Sequence, residues 1–290
     1  MTESYTDKTL RITVILARGK EDGTAYVFEG YACTAKIEKQ GMPELPKASV
    51  TLWGLSESTM DALTTLSFEP MTLRHNQITI EAGETGKALS LVFRGDIVSA
   101  VPDFNAAPSP TMTIEARTGV FGALTPASPV SVNGQQSAES LVSGFAKEAG
   151  MTFKSTGLTA SVSNCVINGD PISKMKWVAE SVGAELLIND NEVSLVDSKG
   201  VLGQGSPRVT LIDPKSGQIG YPSFDDKGVR CSLFFEPSLR VMGEVEIQSA
   251  FKKANGKWRI YSLTHDLSAN LPNGGSWKTE IACSWLYRMV

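Results

Sequence analysis

The last third of the chain alternates apolar with polar residues and is cut repeatedly by Pro and Gly, a pattern that short antiparallel strands satisfy and helices do not. From Gly220 to Ser249 one strand ends at a Pro turn and a second opens after Gly243. Lys257–Leu267 and Trp277–Trp285 then form a pair with alternating aromatic residues. Together they predict a small β-barrel. Within Glu244-Val245-Glu246-Ile247, a period of two puts both carboxylates on one strand face and both aliphatic side chains on the other.

The first hundred residues share this texture, with one helix among the strands. Leu10–Ala17, Ala25–Ile37 and Ala48–Leu55 read as strands. Ser56 stands at a capping position, Glu57 suits the positive end of the helix dipole, and Met60, Leu63 and Leu66 recur at spacing three. A short helix ending before Pro70 is expected. Gln77–Gly83, Leu89–Val98 and Thr111–Ala116 follow as strands, giving a six- or seven-stranded barrel or sandwich.

A different pattern fills residues 119–206. Phe121–Pro129 reads as a loop, after which Ala138, Leu141, Val142, Phe145, Ala146 and Ala149 fall on one helical face, capped by Ser137 and stopped by Gly150. The arrangement recurs 33 residues on, with Asp170 as cap, Pro171 in the first turn, Ile172, Met175, Val178, Ala179 and Val182 on the buried face, and Gly183 as the stop. Short strands flank each helix: 129–132 and 151–153, then 160–167 and 185–188, with a final one at 192–196. This is a duplicated α/β unit. Ser198–Ser206 has the composition of a linker. The expected fold is β-rich α+β, with domains at 1–118, 119–206 and 207–290.

Charge and motifs then narrow the function. With 27 Lys and Arg against 31 Asp and Glu, the net charge of -4 and the absence of a basic run argue against sequence-specific nucleic-acid binding. Cys33, Cys165, Cys231 and Cys283 are scattered without a Cys-x-x-Cys pair, so free thiols are expected rather than a zinc or redox site. The N-terminus lacks a signal-peptide pattern and Ile12–Ala17 is too short to span a membrane, which points to synthesis and folding in the cytoplasm.

Neither His75 nor His265 has metal-ligand neighbours in sequence, and no nucleophile-elbow, zincin or P-loop motif occurs. Asp225-Asp226 and Glu244 with Glu246 are the carboxylate pairs a hydrolase would use. Their settings, a hairpin turn and a solvated strand face, predict surface residues with near-ordinary titration. Asp103 with Asn105, and Asn189–Asn191, read as turns rather than calcium loops. Trp258, Tyr261, Trp277 and Trp285 read as core rather than as a stacking platform. No catalytic, cofactor-binding or metal site is expected.

The C-terminal strand order resembles the tube-like domain of phage baseplate hub proteins. Three features of the first barrel are similar to the hub pattern: Leu52–Leu55 with its terminal Gly before the short helix, Ile78–Gly83 ending in Ala-Gly, and the Phe-x-Gly-x-Ile run Phe93–Ile97. The duplicated α/β middle resembles the insert between the two hub barrels. This resemblance implies two tail-tube-like β-barrel domains per chain and a homotrimer whose barrels match a sixfold tail tube and adapt it to a threefold spike. The implied partners are the tail tube or tube-initiator protein, the spike protein, the tape-measure protein and other baseplate proteins. No cofactor is implied. The protein would reside in the virion, after assembly in the host cytoplasm, around a channel for DNA or tape-measure passage, with Glu244 and Glu246 as candidate lumen-facing residues. Two alternatives are a virion-associated cell-wall hydrolase and a carbohydrate- or receptor-binding tail module.

Overall fold

Period-two alternation becomes strand throughout a computed structural model that describes residues 7–18, 21–66, 75–105, 109–198, 200–202 and 209–285. The chain divides into two units interleaved in sequence. Residues 38–46 group with 119–264 and with those from 278 on, while 265–277 group with those up to 37 and with 47–118.

The first unit contains β1 (Lys8–Arg18), β2 (Glu21–Glu29), β3 (Cys33–Gln40, to Ile37), β4 (Lys47–Trp53), α1 (Glu57–Leu63), β5 (Gln77–Glu84), β6 (Ser90–Asp103) and β7 (Thr111–Arg117). Its strands lie in the order β3-β4-β7-β6-β5-β1-β2, and among the described residues β2 pairs on one side only, so the sheet does not close. Every second residue is buried: Leu10, Ile12 and Val14 on β1, Val50 and Leu52 on β4, Ile78 and Ile80 on β5, Met112 and Ile114 on β7. Burying each such side chain contributes about 1.5–3 kcal/mol.

The Phe93-x-Gly95-x-Ile97 motif has a steric reason. A Cβ at Gly95 would lie 2.8 Å from both the Arg117 carbonyl oxygen and the Phe93 ring, so only glycine lets β6 approach β7 this closely.

Two expectations about this unit need correction. The stretch 25–37 is not one strand but the end of β2 and the start of β3, separated by a turn at Gly30. Ser56 does cap α1, its Oγ accepting from the Thr59 amide at 3.2 Å, but the helix stops at Leu63 and so does not include Leu66. Thr65 instead makes a bridge with Ala100, donating at 2.9 Å and accepting at 2.8 Å, and this pairing outcompetes another helical turn. Pro70 lies outside the described residues.

The second unit carries the duplicated pattern. Its elements are α2 (Val120–Leu124), β8 (Val130–Ser137), α3 (Ala138–Glu148), β9 (Thr152–Phe153), β10 (Ser161–Ile167), α4 (Pro171–Ser181), β11 (Ala184–Asn189) and β12 (Glu192–Asp197). Ser137 and Asp170 cap the two helices, accepting from Ser140 and Ser173 amides at 3.5 and 3.0 Å. Gly150 and Gly183 take φ of +72° and +65° just past the helix ends, a conformation that glycine adopts without a Cβ penalty. Leu141, Val142 and Phe145 of α3 pack with Met175, Val178 and Ala179 of α4 in one core with Val193 and Leu195 of β12. β8 pairs with β10, and β12 joins β11 antiparallel and β9 parallel. The expected loop at 121–129 is helical in its first part, because α2 occupies Val120–Leu124 and seats Gly122 against Ala149.

The rest of this unit is β-structure: β13 (Thr210–Ile212), β14 (Gln218–Phe224), β15 (Gly228–Phe234), β16 (Glu244–Ile247), β17 (Gly256–Ala269, to Thr264) and β18 (Trp277–Trp285, from Lys278). β15 lies between β14 and β18, while β16 pairs antiparallel with β17 and parallel with β13. Val229, Cys231, Val245, Ile247, Trp258, Ile260, Ile281 and Cys283 share its core. Of the expected linker, Ser198 and residues 200–202 are described. Val201 is buried and the Leu202 amide donates to the Met242 carbonyl at 2.7 Å, so this part is packed rather than free.

Candidate functional site

The sequence singled out β16, and its alternation is realised as expected: Val245 and Ile247 are fully buried while Glu244 and Glu246 face the other way, half-buried. The carboxylate face is not one of a single sign. Glu244 stands opposite Arg259 and Glu246 opposite Lys257 in the β16–β17 register. Lys257 Nζ lies 2.7 Å from Glu244 Oε1, Gln248 Nε2 donates to Glu246 Oε1 at 2.9 Å, and Arg259 Nη1 donates to Glu185 Oε1 at 3.0 Å. Each negative charge on this face therefore has a donor beside it.

Asp225 departs from the near-ordinary titration expected of it. It sits at the end of β14 in the turn before β15, where its Oδ1 accepts from the Lys227 and Gly228 amides at 2.9 and 2.8 Å. Its Oδ2 accepts from Arg230 Nε at 2.8 Å and the Tyr261 hydroxyl at 2.9 Å. Burial pushes its pKa up, but the Tyr261, Arg230, Gly228 and Lys227 donors together hold it down at about 2. A carboxylate fixed in the ionised form is the reverse of a general acid, whose pKa must be raised. Its acceptor capacity is spent on shaping the turn.

The remaining candidates resolve individually. His75 Nε2 lies 2.9 Å from Asp96 Oδ1 and 3.2 Å from Gln77 Nε2. His265 is buried within β17. Asp103 accepts from the Asn105 amide at 2.9 Å in a turn. Among the described residues no group of three or more His, Cys, Asp or Glu is placed to hold a metal ion, and no helix is long and apolar enough to cross a membrane. All four cysteines are free thiols. Burial pushes Cys33 and Cys231 up to about 11 and Cys283 higher still, which leaves these thiols protonated and weakly nucleophilic near neutral pH.

Of the aromatic residues expected in the core, Trp258 is buried and donates from Nε1 to the Ala254 carbonyl at 2.8 Å. Trp285 is 52% exposed although its ring meets that of Trp258 edge to face, so the expectation fails there.

Sequence reasoning missed two buried lysines. Lys39 donates to both Asp190 oxygens, at 3.0 and 2.7 Å, and Lys174 donates to the Ser128 carbonyl at 2.6 Å while lying over the Phe145 ring. Residue type alone predicts solvent exposure for both, and each required a partner distant in sequence. The half-buried Glu139 of α3 was missed as well. It accepts from the Thr156 and Leu158 amides at 2.9 and 3.1 Å and from the Ser155 hydroxyl, and so shapes the loop after β9.

These contacts build turns, loops and strand faces, and the comparisons with other proteins agree with a structural role. The sequence matches the baseplate hub gp41 family over residues 9–271. The chain belongs to that family. No protein of curated function matches it by sequence. In fold the hub resembles a tail protein from Neisseria meningitidis MC58 (TM-score 0.63, 11% identity, 95% of the hub and 96% of that chain). It also resembles the 43 kDa tail protein of prophage MuSo2 from Shewanella oneidensis (TM-score 0.60, 9% identity, 94% and 97%). A third likeness is to the E. coli c3393 protein (TM-score 0.58, 9% identity, 87% and 73%), described as a type VI secretion component structurally similar to T4 tail proteins gp27 and gp5. At these identities the likenesses speak to the fold alone, which is the β-rich fold of phage tail proteins. Family membership makes the hub a structural component of the tail baseplate, and so of the virion.

Proposed function

We propose that the hub is one subunit of a homotrimeric ring that adapts a sixfold tail tube to a threefold spike and leaves a channel for DNA and tape-measure passage. The observation that carries this reading is family membership across nearly the whole chain, joined to a fold coextensive with two tail proteins, one of them from a prophage. Residues 1–118 and 207–290 would each supply a tube-like β domain, and 119–206 the duplicated insert. Two such domains in each of three chains give the sixfold face, and head-to-tail contacts that close after three copies give the threefold one. Among the described residues β2 pairs on one side only, which supports a sheet completed in the assembly rather than within one chain.

On this reading the hub works by position and shape, without catalysis or cofactor. It meets the tail tube or tube-initiator protein on one face and the spike protein on the other, contacts the tape-measure and other baseplate proteins, and assembles in the host cytoplasm. Glu244 and Glu246 line the channel, where B-DNA of about 20 Å diameter must pass without sticking. Mass photometry of the purified hub, alone and with its spike protein, tests the assembly. Three chains of 31.1 kDa give about 93 kDa for the hub ring, and a hub that stays at 31.1 kDa in both mixtures contradicts it. Slower genome delivery by particles carrying Glu244→Lys and Glu246→Lys tests the lumen assignment, and unchanged delivery removes those residues from the channel.

A further inference from the structure

Asparagine followed by glycine occurs four times in the chain, at residues 133–134, 168–169, 255–256 and 273–274. Such a pair can react with itself, because glycine has no Cβ to shield its backbone nitrogen from the side-chain amide carbon of the residue before it. All four asparagines are exposed, so access does not separate them. Hydrogen bonding does. A backbone N–H held by an acceptor, or a side chain held in place, must first be released before the two groups can meet.

Three of the pairs are held in this way. The Gly134 amide donates to Asn164 Oδ1 at 2.9 Å, and the Gly274 amide donates to the Leu271 carbonyl at 3.1 Å. Asn255 Oδ1 accepts from the Ser249 amide at 2.6 Å, which fixes the side chain that would have to swing onto the Gly256 nitrogen. The fourth pair is not held. Asn168 and Gly169 lie between β10 and α4, both exposed, and among the described residues neither the Asn168 side chain nor the Gly169 amide has a hydrogen-bond partner.

We infer that Asn168 is a deamidation site of the folded hub. The Gly169 nitrogen loses its proton to solvent and bonds to Asn168 Cγ, and the side-chain nitrogen takes up a proton and leaves as ammonia. Water then opens the resulting succinimide at either carbonyl, giving aspartate or isoaspartate. Both products place a new carboxylate just ahead of α4, where the helix N-terminus favours negative charge. Isoaspartate also adds a methylene to the main chain between Ile167, buried at the end of β10, and Asp170, whose side chain caps α4. That lengthening displaces the cap and loosens the first turn of α4. The inference is independent of the ring reading.

The test is peptide mapping by mass spectrometry of the purified, folded hub held at mildly alkaline pH and sampled over weeks. Conversion at Asn168 should run severalfold faster than at Asn133, Asn255 or Asn273, whereas in urea, which removes the protecting bonds, the four rates should converge. Asn164→Gly keeps the left-handed backbone at φ +50° and removes the acceptor of the Gly134 amide, so it should raise the rate at Asn133 toward that at Asn168. Equal rates at the four sites in the folded chain, or a slower rate at Asn168 than at any other, overturn the inference. An Asn133 rate unmoved by Asn164→Gly overturns the hydrogen-bond argument behind it.

Discussion

Replacing Asp225 with Asn removes the charge that four donors converge on while keeping the side chain's size. The carboxyl moves from 3.8 to about 2 on folding, and each tenfold change in acidity is worth about 1.4 kcal/mol, so its ionised form contributes about 2 kcal/mol of stability. Arg230 is well exposed, and screening around it places the true figure at or below this value. The sign follows from the depressed folded-state pKa. The stabilisation is complete above the unfolded value near 3.8 and is lost as pH falls through about 2. Urea unfolding of the native chain and of Asp225→Asn should therefore differ by about 2 kcal/mol at pH 6 and by about half of that at pH 3. Comparing the two proteins at each pH cancels the other carboxylates, including Asp213 and Glu139, which are also depressed. A gap that stays constant between pH 6 and pH 3, or one below about 0.5 kcal/mol at pH 6, would refute the proposed network.

Further substitutions probe packing and the partly buried charges. Gly95→Ala should cost about 1–3 kcal/mol by urea unfolding because its Cβ would meet the Arg117 carbonyl, whereas Gly144→Ala, in open space on α3, should stabilise by up to about 1 kcal/mol. Lys39→Met removes the buried ammonium that donates to both oxygens of the half-buried Asp190 carboxylate and should cost up to about 3 kcal/mol, most of it recovered by adding Asp190→Asn in a double-mutant cycle. Glu139→Ala should speed hydrogen exchange at the Thr156 and Leu158 amides, which both donate to it, without altering exchange in α4.

What the sequence made legible was whatever short-range patterning controls. The caps at Ser56, Ser137 and Asp170, the stops at Gly150 and Gly183, and the alternation in β1, β4, β5, β7 and β16 each depend on neighbours a few residues away. The errors share the opposite cause. Leu66 has the right spacing for α1, yet the helix ends because Thr65 pairs with Ala100, 35 residues on. Asp225 looked like an ordinary turn residue because Tyr261, one of its four donors, is 36 residues away. Lys39 and Lys174 were invisible as buried groups since their partners, Asp190 and Ser128, are 151 and 46 residues away.

The central claim concerns what the hub builds, and cryo-electron microscopy of intact tails addresses it most directly. The account predicts density for three copies of this chain in a closed ring at the tube end, around a channel at least as wide as duplex DNA, about 20 Å. A single copy at the tail tip, or copies distributed along the tail without a ring, would contradict it.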